Sequence, residues 1–107
     1  MASLVLKFND KVLRECPLDR PQLWIGRKPK NDVVIENAAV SGEHARVVCE
    51  DGVYYIEDMA STNGTYLNEE RVERRALYDG DKIRVGKHLL VFQDATRRRE
   101  RRPSLEA

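Results

Sequence analysis

Pairs of turn-forming residues divide this chain into segments that are too short for most helices and well suited to strands. Asn9-Asp10, Asp51-Gly52, Asp79-Gly80 and Gly86-Lys87 each fall between short runs of apolar and β-branched residues. Asp-Gly between two such runs is among the strongest short-range signals for a β-hairpin. Because runs of about four to eight residues between turns are typical of strands, this punctuation predicts a chain built mainly of short strands.

The apolar residues between these turns alternate with polar ones, as they do in strands. Leu4, Leu6 and Phe8 fall on one parity, and Tyr54 and Ile56 share one face of a later segment. Roughly ten such segments can be traced, and their close spacing predicts an all-β sandwich or barrel. Helical periodicity is weak throughout, because the best helical candidate, residues 68–77, lacks an apolar stripe.

The composition indicates one globular domain. The chain has 107 residues, of which 41% are hydrophobic and 35% are charged. This length suits one domain with a single core. No apolar run approaches the roughly 20 residues that a membrane helix needs, and residues 1–8 lack the features of a signal peptide. We therefore expect no membrane partner and a cytoplasmic location, or a nuclear one in a eukaryotic cell.

The net charge of +1 is distributed unevenly along the chain. Five of the 19 basic residues and two of the 18 acidic residues lie in residues 97–107, which leaves a net charge of −2 on the remainder. The end of the chain contains little that could be buried. We therefore predict a folded domain over residues 1–95 and a disordered arginine-rich tail or linker over residues 96–107. Because the folded part has no broad basic surface, nucleic acid is not an expected partner.

The arginine-rich tail is open to several interpretations. The preferred one is a solvated linker to a further domain of a longer multidomain chain. Arginine runs also bind nucleic acid or anionic lipid nonspecifically. Finally, Arg101-Arg102-Pro103-Ser104 resembles a basophilic kinase site, which would make Ser104 a phosphorylation site.

Cysteines and histidines are too few for a disulfide framework or a metal site. Cys16 and Cys49 have no Cys-x-x-Cys neighbour, so both are predicted to be reduced thiols, with a single disulfide between them left open. His44 and His88 are the only histidines, and no cluster of cysteines or carboxylates has the spacing of metal ligands. We expect neither a metal nor a cofactor.

The longest loops carry side chains that suit a phosphate group. Arg27 follows Gly26 directly at the end of a strand, so its guanidinium, which matches phosphate oxygens bidentately, would be anchored at its base. The hydroxyl groups of Ser41 and Thr62 can donate further hydrogen bonds to a phosphate. The backbone N–H groups near Gly42 could approach an anion closely, because glycine has no side chain. The candidate donors in these loops are Arg27, Lys28, Lys30, Ser41, Ser61, Thr62 and Asn63.

The order and spacing of these residues resemble the forkhead-associated (FHA) domain family. The matching motifs are Gly26-Arg27, Ser41-Gly42-Glu43-His44, Ser61-Thr62-Asn63-Gly64-Thr65 and Asp79-Gly80-Asp81, and the resemblance covers about residues 3–94. It implies a two-sheet β-sandwich of about eleven short strands, with the ligand loops at one end. It also implies a module that binds phosphothreonine peptides and mediates phosphorylation-dependent protein–protein interaction in signalling. The implied partner is a phosphothreonine-containing protein, the substrate of a Ser/Thr kinase.

The resemblance assigns ligand-binding roles to four residues. Arg27 would bind the phosphate directly, Ser41 would hydrogen-bond a phosphate oxygen, and Thr62 would lie beside the phosphothreonine. Asn63 would hydrogen-bond the peptide main chain and hold it in register. Taken alone, Asn63-Gly64 is also an ordinary hairpin dipeptide. The presence of Arg27 and Ser41 elsewhere in the sequence favours a binding role for Asn63.

Three further matches would be structural. His44 would tie the loop that carries Ser41 to the neighbouring loop. Gly26 and Gly64 would serve the conformation of the backbone.

The sequence departs from the family pattern at two places. Gly42 stands where such domains often have a basic residue or asparagine, so one side-chain contact to the phosphate or peptide is missing, and Lys28 or Lys30 could replace it. Asn68-Glu69 stands where Asn-Gly is common. That turn must adopt another geometry or tolerate strain at Glu69.

Two other classes of function compete with phosphopeptide binding. The alternative is a phosphate-independent protein-interaction scaffold on the same fold, in which Arg27 would not be needed. A hydrolase could in principle use Ser41, His44 and Asp58, but the chain has no Gly-x-Ser-x-Gly elbow and is short for a substrate pocket. We therefore expect that the protein is not an enzyme.

Overall fold

The computed structural model describes residues 2–98, and all regular secondary structure in that range is β-strand. In chain order the strands are β1 (Ser3–Phe8), β2 (Lys11–Pro17), β3 (Gln22–Gly26), β4 (Val33–Val34), β5 (Ala45–Glu50), β6 (Val53–Asp58), β7 (Thr65–Leu67), β8 (Glu70–Val72), β9 (Arg74–Ala76), β10 (Lys82–Val85) and β11 (His88–Gln93). Within residues 2–98 there is no helix long and apolar enough to cross a membrane.

The strands form two sheets that pack face to face. One sheet has six strands in the order β2-β1-β11-β10-β7-β8, and the other has five in the order β4-β3-β5-β6-β9. Neighbouring strands are antiparallel, except that β3 and β4 pair in parallel. The predicted all-β sandwich is confirmed, and so is the count of about eleven strands that the resemblance implied.

The core lies between the two sheets and follows the alternation of the sequence. Leu4 and Leu6 of β1 point inward and are buried, whereas Val5 between them is only half-buried. Leu4 pairs with Phe92 of β11, which is fully buried. Burying aliphatic and aromatic side chains in this way stabilises a sandwich by about 1.5–3 kcal/mol for each large side chain. The facing sheet contributes Leu23, Ile25, Val33, Ala45, Val47 and Ile56.

Short turns connect the hairpins where the sequence predicted them. Asn9 and Asp10, between β1 and β2, have φ angles of 51° and 63°. Asp51 and Gly52, between β5 and β6, have φ angles of 52° and 80°. Positive φ at both central residues is the type I′ geometry, whose twist matches that of the flanking strands.

The chain changes sheets at Glu73, a feature that the sequence did not predict. The strand β8 pairs with β7 in the six-stranded sheet, and β9 pairs with β6 in the five-stranded sheet. The backbone carbonyl of Glu73 accepts a hydrogen bond of 2.9 Å from the N–H of Asp58. The sequence pattern predicted one strand over residues 71–73 and did not indicate β9.

The two cysteines are unpaired thiols, as predicted. Cys16 is buried, and this burial raises the pKa of its thiol. Cys49 is half-buried on β5. The single disulfide that the sequence left open does not form.

The last described residues are held against the domain. The backbone N–H of Arg97 donates to the Asp94 carbonyl, and its own carbonyl accepts from the N–H of Asp79 at 2.7 Å. Its guanidinium lies 4.2 Å from the centre of the Tyr78 ring. Residues 96 and 97 of the predicted tail thus contact the fold. Residues 99–107 of that tail, which include the candidate kinase site and three of the five arginines, lie outside the described residues.

Candidate functional site

Three loops meet at one end of the sandwich, where β3, β5 and β6 have neighbouring ends. They are the β3–β4 loop (residues 27–32), the β4–β5 loop (residues 35–44) and the β6–β7 loop (residues 59–64). The backbone N–H of Arg27 donates to the Ser41 carbonyl over 2.9 Å, and that of Lys28 donates to the Gly42 carbonyl over 3.2 Å. These bonds join the first two loops into one surface.

Gly26 ends β3 at a point where no side chain fits. A Cβ at this position would lie 2.3 Å from the Gly42 carbonyl oxygen and 2.7 Å from Nδ2 of Asn31. That Asn31 amide donates to the carbonyl groups of Lys28 and Gly42, at 2.9 and 2.7 Å. Because a hydrogen-bonded backbone carbonyl cannot swing aside as a flexible side chain does, this close approach requires glycine.

Ser41 joins the β4–β5 loop to the β6–β7 loop through its side chain. The N–H of Thr62 donates to Oγ of Ser41 at 3.0 Å. A serine hydroxyl that accepts in this way retains its own O–H as a donor. Thr62 and Asn63 are exposed, and the Asn63 amide donates to the Ala39 carbonyl at 2.8 Å. The two loop tips are thus fixed to each other with one hydroxyl donor between them.

The cations at this end of the molecule differ in how they are paired. The side chains of Arg27 and Lys28 are exposed, and among residues 2–98 their charged groups form no ion pair. The Lys28 side chain crosses Gly42, where a Cβ would lie 2.8 Å from Cε of the lysine. In contrast, Nζ of Lys30 lies 2.6 Å from Oε2 of Glu43. The hydrogen bond and charge of Lys30 lower the pKa of the Glu43 carboxyl.

His44 is fully buried beneath these loops and bonds two of them. Its Nδ1 accepts from the N–H of Ser41 at 3.0 Å, and its Nε2 lies 2.9 Å from the carbonyl oxygen of Gly64. Because the carbonyl can only accept, Nε2 is the donor in this bond and Nδ1 is the acceptor in the other. The ring therefore fixes the backbone on both sides of the candidate site.

A family model described as the FHA domain matches residues 23–86. The match spans more than half of the chain and includes all three of these loops. The chain belongs to the FHA domain family. This domain is a phosphothreonine-binding fold, so the predicted function class, a module for phosphorylation-dependent protein–protein interaction, is confirmed.

Two similar proteins have names that describe them as regulators. The chain is 37% identical over 91 residues to the glycogen accumulation regulator GarA of Mycolicibacterium smegmatis, covering 85% of this chain and 58% of that protein. It is 39% identical over 94 residues to an oxoglutarate dehydrogenase inhibitor of Corynebacterium diphtheriae, covering 88% of this chain and 66% of that protein. The chain thus spans less than two thirds of the length of these relatives.

A solved structure of EmbR from Mycobacterium tuberculosis, in complex with a low affinity phosphopeptide, contains the same fold in part of its chain. Its TM-score is 0.77 at 36% sequence identity, covering 85% of this chain and 24% of that chain. This FHA domain therefore shares its architecture with a protein that has been observed with a phosphopeptide.

Asp58, which the sequence suggested only as a member of a hydrolytic triad, supports the β6–β7 loop. Asp58 accepts hydrogen bonds from the hydroxyls of Ser61 and Thr65 and from the N–H of Ser61. Oγ of Ser61 accepts in turn from the N–H of Gly64 at 3.0 Å. Burial would raise the pKa of the Asp58 carboxyl, but the hydrogen bonds from Ser61 and Thr65 outweigh burial and hold this pKa below its ordinary value.

Ser61 belongs to this hydrogen-bond network, although the sequence analysis grouped it with the candidate phosphate donors. The residue is buried with a relative exposure of 7%, and its hydroxyl points to Asp58. An Asp-x-x-Ser spacing before Gly is the signal that could have predicted this, because it is typical of side chains that cap a tight turn.

The geometry does not provide a hydrolytic triad. Both ring nitrogens of His44 are engaged by backbone groups, so neither is placed to accept the proton of the Ser41 hydroxyl. The Asp58 carboxylate accepts from Ser61 and Thr65. Residues 2–98 also contain no cluster of three histidines, cysteines or carboxylates that could hold a metal ion.

The structure thus brings the predicted ligand residues to one end of the FHA domain. Arg27, Lys28 and Ser41 come from loops that are bonded to each other, and Thr62 and Asn63 come from the adjoining loop. Lys30 also lies on this side but is paired with Glu43. The individual roles of these residues in ligand binding stay predictions.

Proposed function

We propose that this FHA domain binds phosphothreonine peptides with the phosphate held between Arg27 and Ser41. The observation that carries the proposal is the pairing of two donors on loops that are hydrogen-bonded to each other. The guanidinium of Arg27 has no ion pair among residues 2–98, and the Ser41 hydroxyl retains its hydrogen because it accepts from Thr62. Such prearranged donors bind an anion with little further ordering.

The phosphate group accounts for the expected difference in affinity between modified and unmodified peptides. A threonine phosphate carries about −1.5 to −2 charges at pH 7 and three acceptor oxygens. Charge-assisted hydrogen bonds contribute about 1.5–3 kcal/mol each. One such cluster with a few main-chain contacts corresponds to a Kd near micromolar, or about −8 kcal/mol. The unmodified hydroxyl offers no anion to Arg27, so its peptide should bind far more weakly.

The remaining candidate residues have supporting roles in this proposal. Asn63 uses one amide hydrogen to bond the Ala39 carbonyl, and its second amide hydrogen and its amide oxygen are the groups that would bond the peptide main chain. Lys28 crosses Gly42 and supplies a second cation where the family often has a side chain at position 42. Lys30 contributes less, because Glu43 offsets its charge.

We further propose that the whole protein is a regulator and not a catalyst, acting in the cytoplasm on a phosphothreonine-containing partner. The names of its relatives, a glycogen accumulation regulator and an enzyme inhibitor, support a regulatory role. The engagement of His44 by two backbone groups supports the absence of hydrolytic chemistry at this site.

The proposal is tested by titrating the domain with matched peptide libraries while following backbone amide shifts. One library contains phosphothreonine, one phosphoserine, and one unmodified threonine. Saturable shifts at Arg27, Ser41, Thr62 and Asn63 with the phosphothreonine library alone are the expected result. An absence of shifts at millimolar phosphopeptide would favour the phosphate-independent scaffold.

The Arg27→Ala variant tests the central ligand. We expect loss of phosphopeptide binding with an unchanged melting temperature, because the side chain is exposed and the backbone bond to Ser41 is retained. Arg75→Ala is the matched control, since Arg75 is also exposed but pairs with Glu70. Wild-type affinity in Arg27→Ala would refute the role of Arg27.

A further inference from the structure

Arg71 lies beside the ligand loops, although it is distant from their motifs in sequence. It is on the edge strand β8 and pairs with Tyr66 of β7. Its side chain lies against Gly64, where a Cβ would be 2.8 Å from Nε and 3.0 Å from Cζ of the arginine. The φ angle of Gly64 is +89°. The missing side chain at Gly64 therefore leaves the space in which the Arg71 guanidinium rests on the β6–β7 loop.

The charge of Arg71 is not compensated within residues 2–98. Its guanidinium forms no hydrogen bond or ion pair there, and the residue is exposed. Many other arginines of the domain are paired with carboxylates, namely Arg20, Arg46, Arg74, Arg75 and Arg84. Among the described residues, Arg27 of the β3–β4 loop likewise forms no ion pair.

The space in front of Arg71 can accommodate a side chain. A cleft of about 690 Å³ lies on this side of the β6–β7 loop and is lined by Asp58, Ala60, Ser61, Arg71, Val72 and Glu73. The charge of Asp58 is engaged by Ser61 and Thr65. Glu73 is exposed and forms no ion pair among the described residues, so it is the one carboxylate that would compete for an incoming charge.

The cleft is within reach of a peptide bound at the phosphate site. Thr62, beside the phosphate, and Gly64, beneath Arg71, are two residues apart, so their Cα atoms are separated by at most about 7 Å. An extended peptide advances about 3.3 Å per residue. With the length of the arginine side chain included, a peptide residue about two to four positions from the phosphothreonine can meet the guanidinium.

We propose that Arg71 is a specificity-determining residue that binds an acidic side chain of the phosphopeptide, two to four positions from the phosphothreonine. This inference rests on the proposed function and deepens it. A guanidinium binds a carboxylate bidentately. The β6–β7 loop contacts Ser41 through the N–H of Thr62 and contacts the Arg71 side chain at Gly64. The ligand is thus an acidic phosphothreonine peptide rather than any phosphothreonine peptide.

The test uses phosphothreonine peptides that differ at one position. Aspartate, alanine or lysine is placed in turn at each of the four positions before and after the phosphothreonine, and Kd is measured by calorimetry. Wild type is expected to prefer aspartate over alanine by about two- to fivefold at one position, the range for an exposed ion pair. Arg71→Gln should lose this preference and keep its affinity for the alanine peptide, and Arg71→Glu should prefer lysine at the same position.

Two control variants separate the site from general electrostatics. Arg75→Gln removes the charge of an exposed arginine that is already paired with Glu70, and it should leave the aspartate preference unchanged. Glu73→Gln removes the competing carboxylate of the cleft and should increase the preference.

The outcomes distinguish this inference from the proposed function. If no phosphopeptide binds, both fail. If phosphopeptides bind without an acidic preference, or if Arg71→Gln retains that preference, Arg71 only packs against Gly64 and the inference is overturned. A preference that Arg75→Gln abolishes equally would likewise overturn it.

Discussion

The imidazole of His44 has both of its nitrogens bonded to backbone groups of different loops. One bond fixes Ser41, the proposed phosphate donor, and the other fixes Gly64, which the Arg71 side chain contacts. Because the ring is fully buried, each group it satisfies would otherwise lack a partner in the interior. One buried residue thus bonds the β4–β5 loop to the β6–β7 loop.

We expect His44→Ala to destabilise the domain by about 2–4 kcal/mol. The substitution removes the partner of the part-buried N–H of Ser41 and of the buried carbonyl of Gly64, and it opens a cavity. Thermal unfolding should show a fall in Tm of about 10–20 °C for a domain of this size. His88→Ala is the matched control, since His88 is only half-buried and its Nδ1 has no partner, and its Tm should fall less. Loss of phosphopeptide affinity in His44→Ala with no change in Tm would contradict the structural role.

The element that departs most from the family pattern is the turn between β7 and β8. Asn68 and Glu69 have φ angles of 49° and 69°, so this turn keeps the two left-handed residues of a type I′ turn. Asn68 tolerates this conformation, and its side chain bonds Asp81 and the N–H of Lys82. Glu69 does not tolerate a positive φ as asparagine does, and its side chain forms only an exposed ion pair with Arg84. The sequence predicted either a different turn or strain at Glu69, and the strain is what the structure has.

We expect Glu69→Gly to stabilise the domain by about 0.5–1 kcal/mol. Glycine adopts a positive φ without the cost of about 1–2 kcal/mol that a Cβ brings, and the exposed ion pair that is lost contributes little. Urea unfolding measures the change in the free energy of unfolding. Glu69→Gln is the control that removes only the charge, and it should change stability by less than about 0.5 kcal/mol. Equal effects of the two variants would show that the turn is not strained.

At the scale of the whole molecule, two groups couple stability to pH in different ranges. His88 is half-buried, with its ring 4.7 Å from that of Phe8, and burial lowers the pKa of its imidazole. The unfolded chain therefore binds this proton more readily than the native state does. Stability from this group is present above about pH 6.5, the ordinary pKa, and is lost as the pH falls below it. The pKa of the Asp58 carboxyl is also lowered, so the stability that this group contributes is lost as the pH falls below about 4.

We expect the free energy of unfolding to fall between pH 7 and pH 5 with a contribution from His88. His88→Phe keeps a ring against Phe8 and removes the proton site. Urea unfolding of both proteins at intervals across this range should give the variant a flatter dependence on pH. A variant with the same slope as wild type would mean that His88 does not contribute to it.

Much of this FHA domain can be predicted from the sequence alone. The alternation of Leu4 and Leu6, the Asp51-Gly52 hairpin and the motif residues from Gly26 to Gly64 predicted the all-β sandwich, its turns and the family. These features are local, because the side-chain period of a strand and the φ angles of a turn depend on neighbouring residues.

Only the tertiary structure decided which of the charged and polar residues face the site. It paired Lys30 with Glu43, turned Ser61 toward Asp58, and placed Arg71 of β8 over Gly64. It also divided β8 and β9 between two sheets at Glu73, where no turn residue marks the change. Each of these contacts depends on which segments pack together across the fold, and a one-residue change of strand register would break them. That long-range information is absent from any local pattern in the chain.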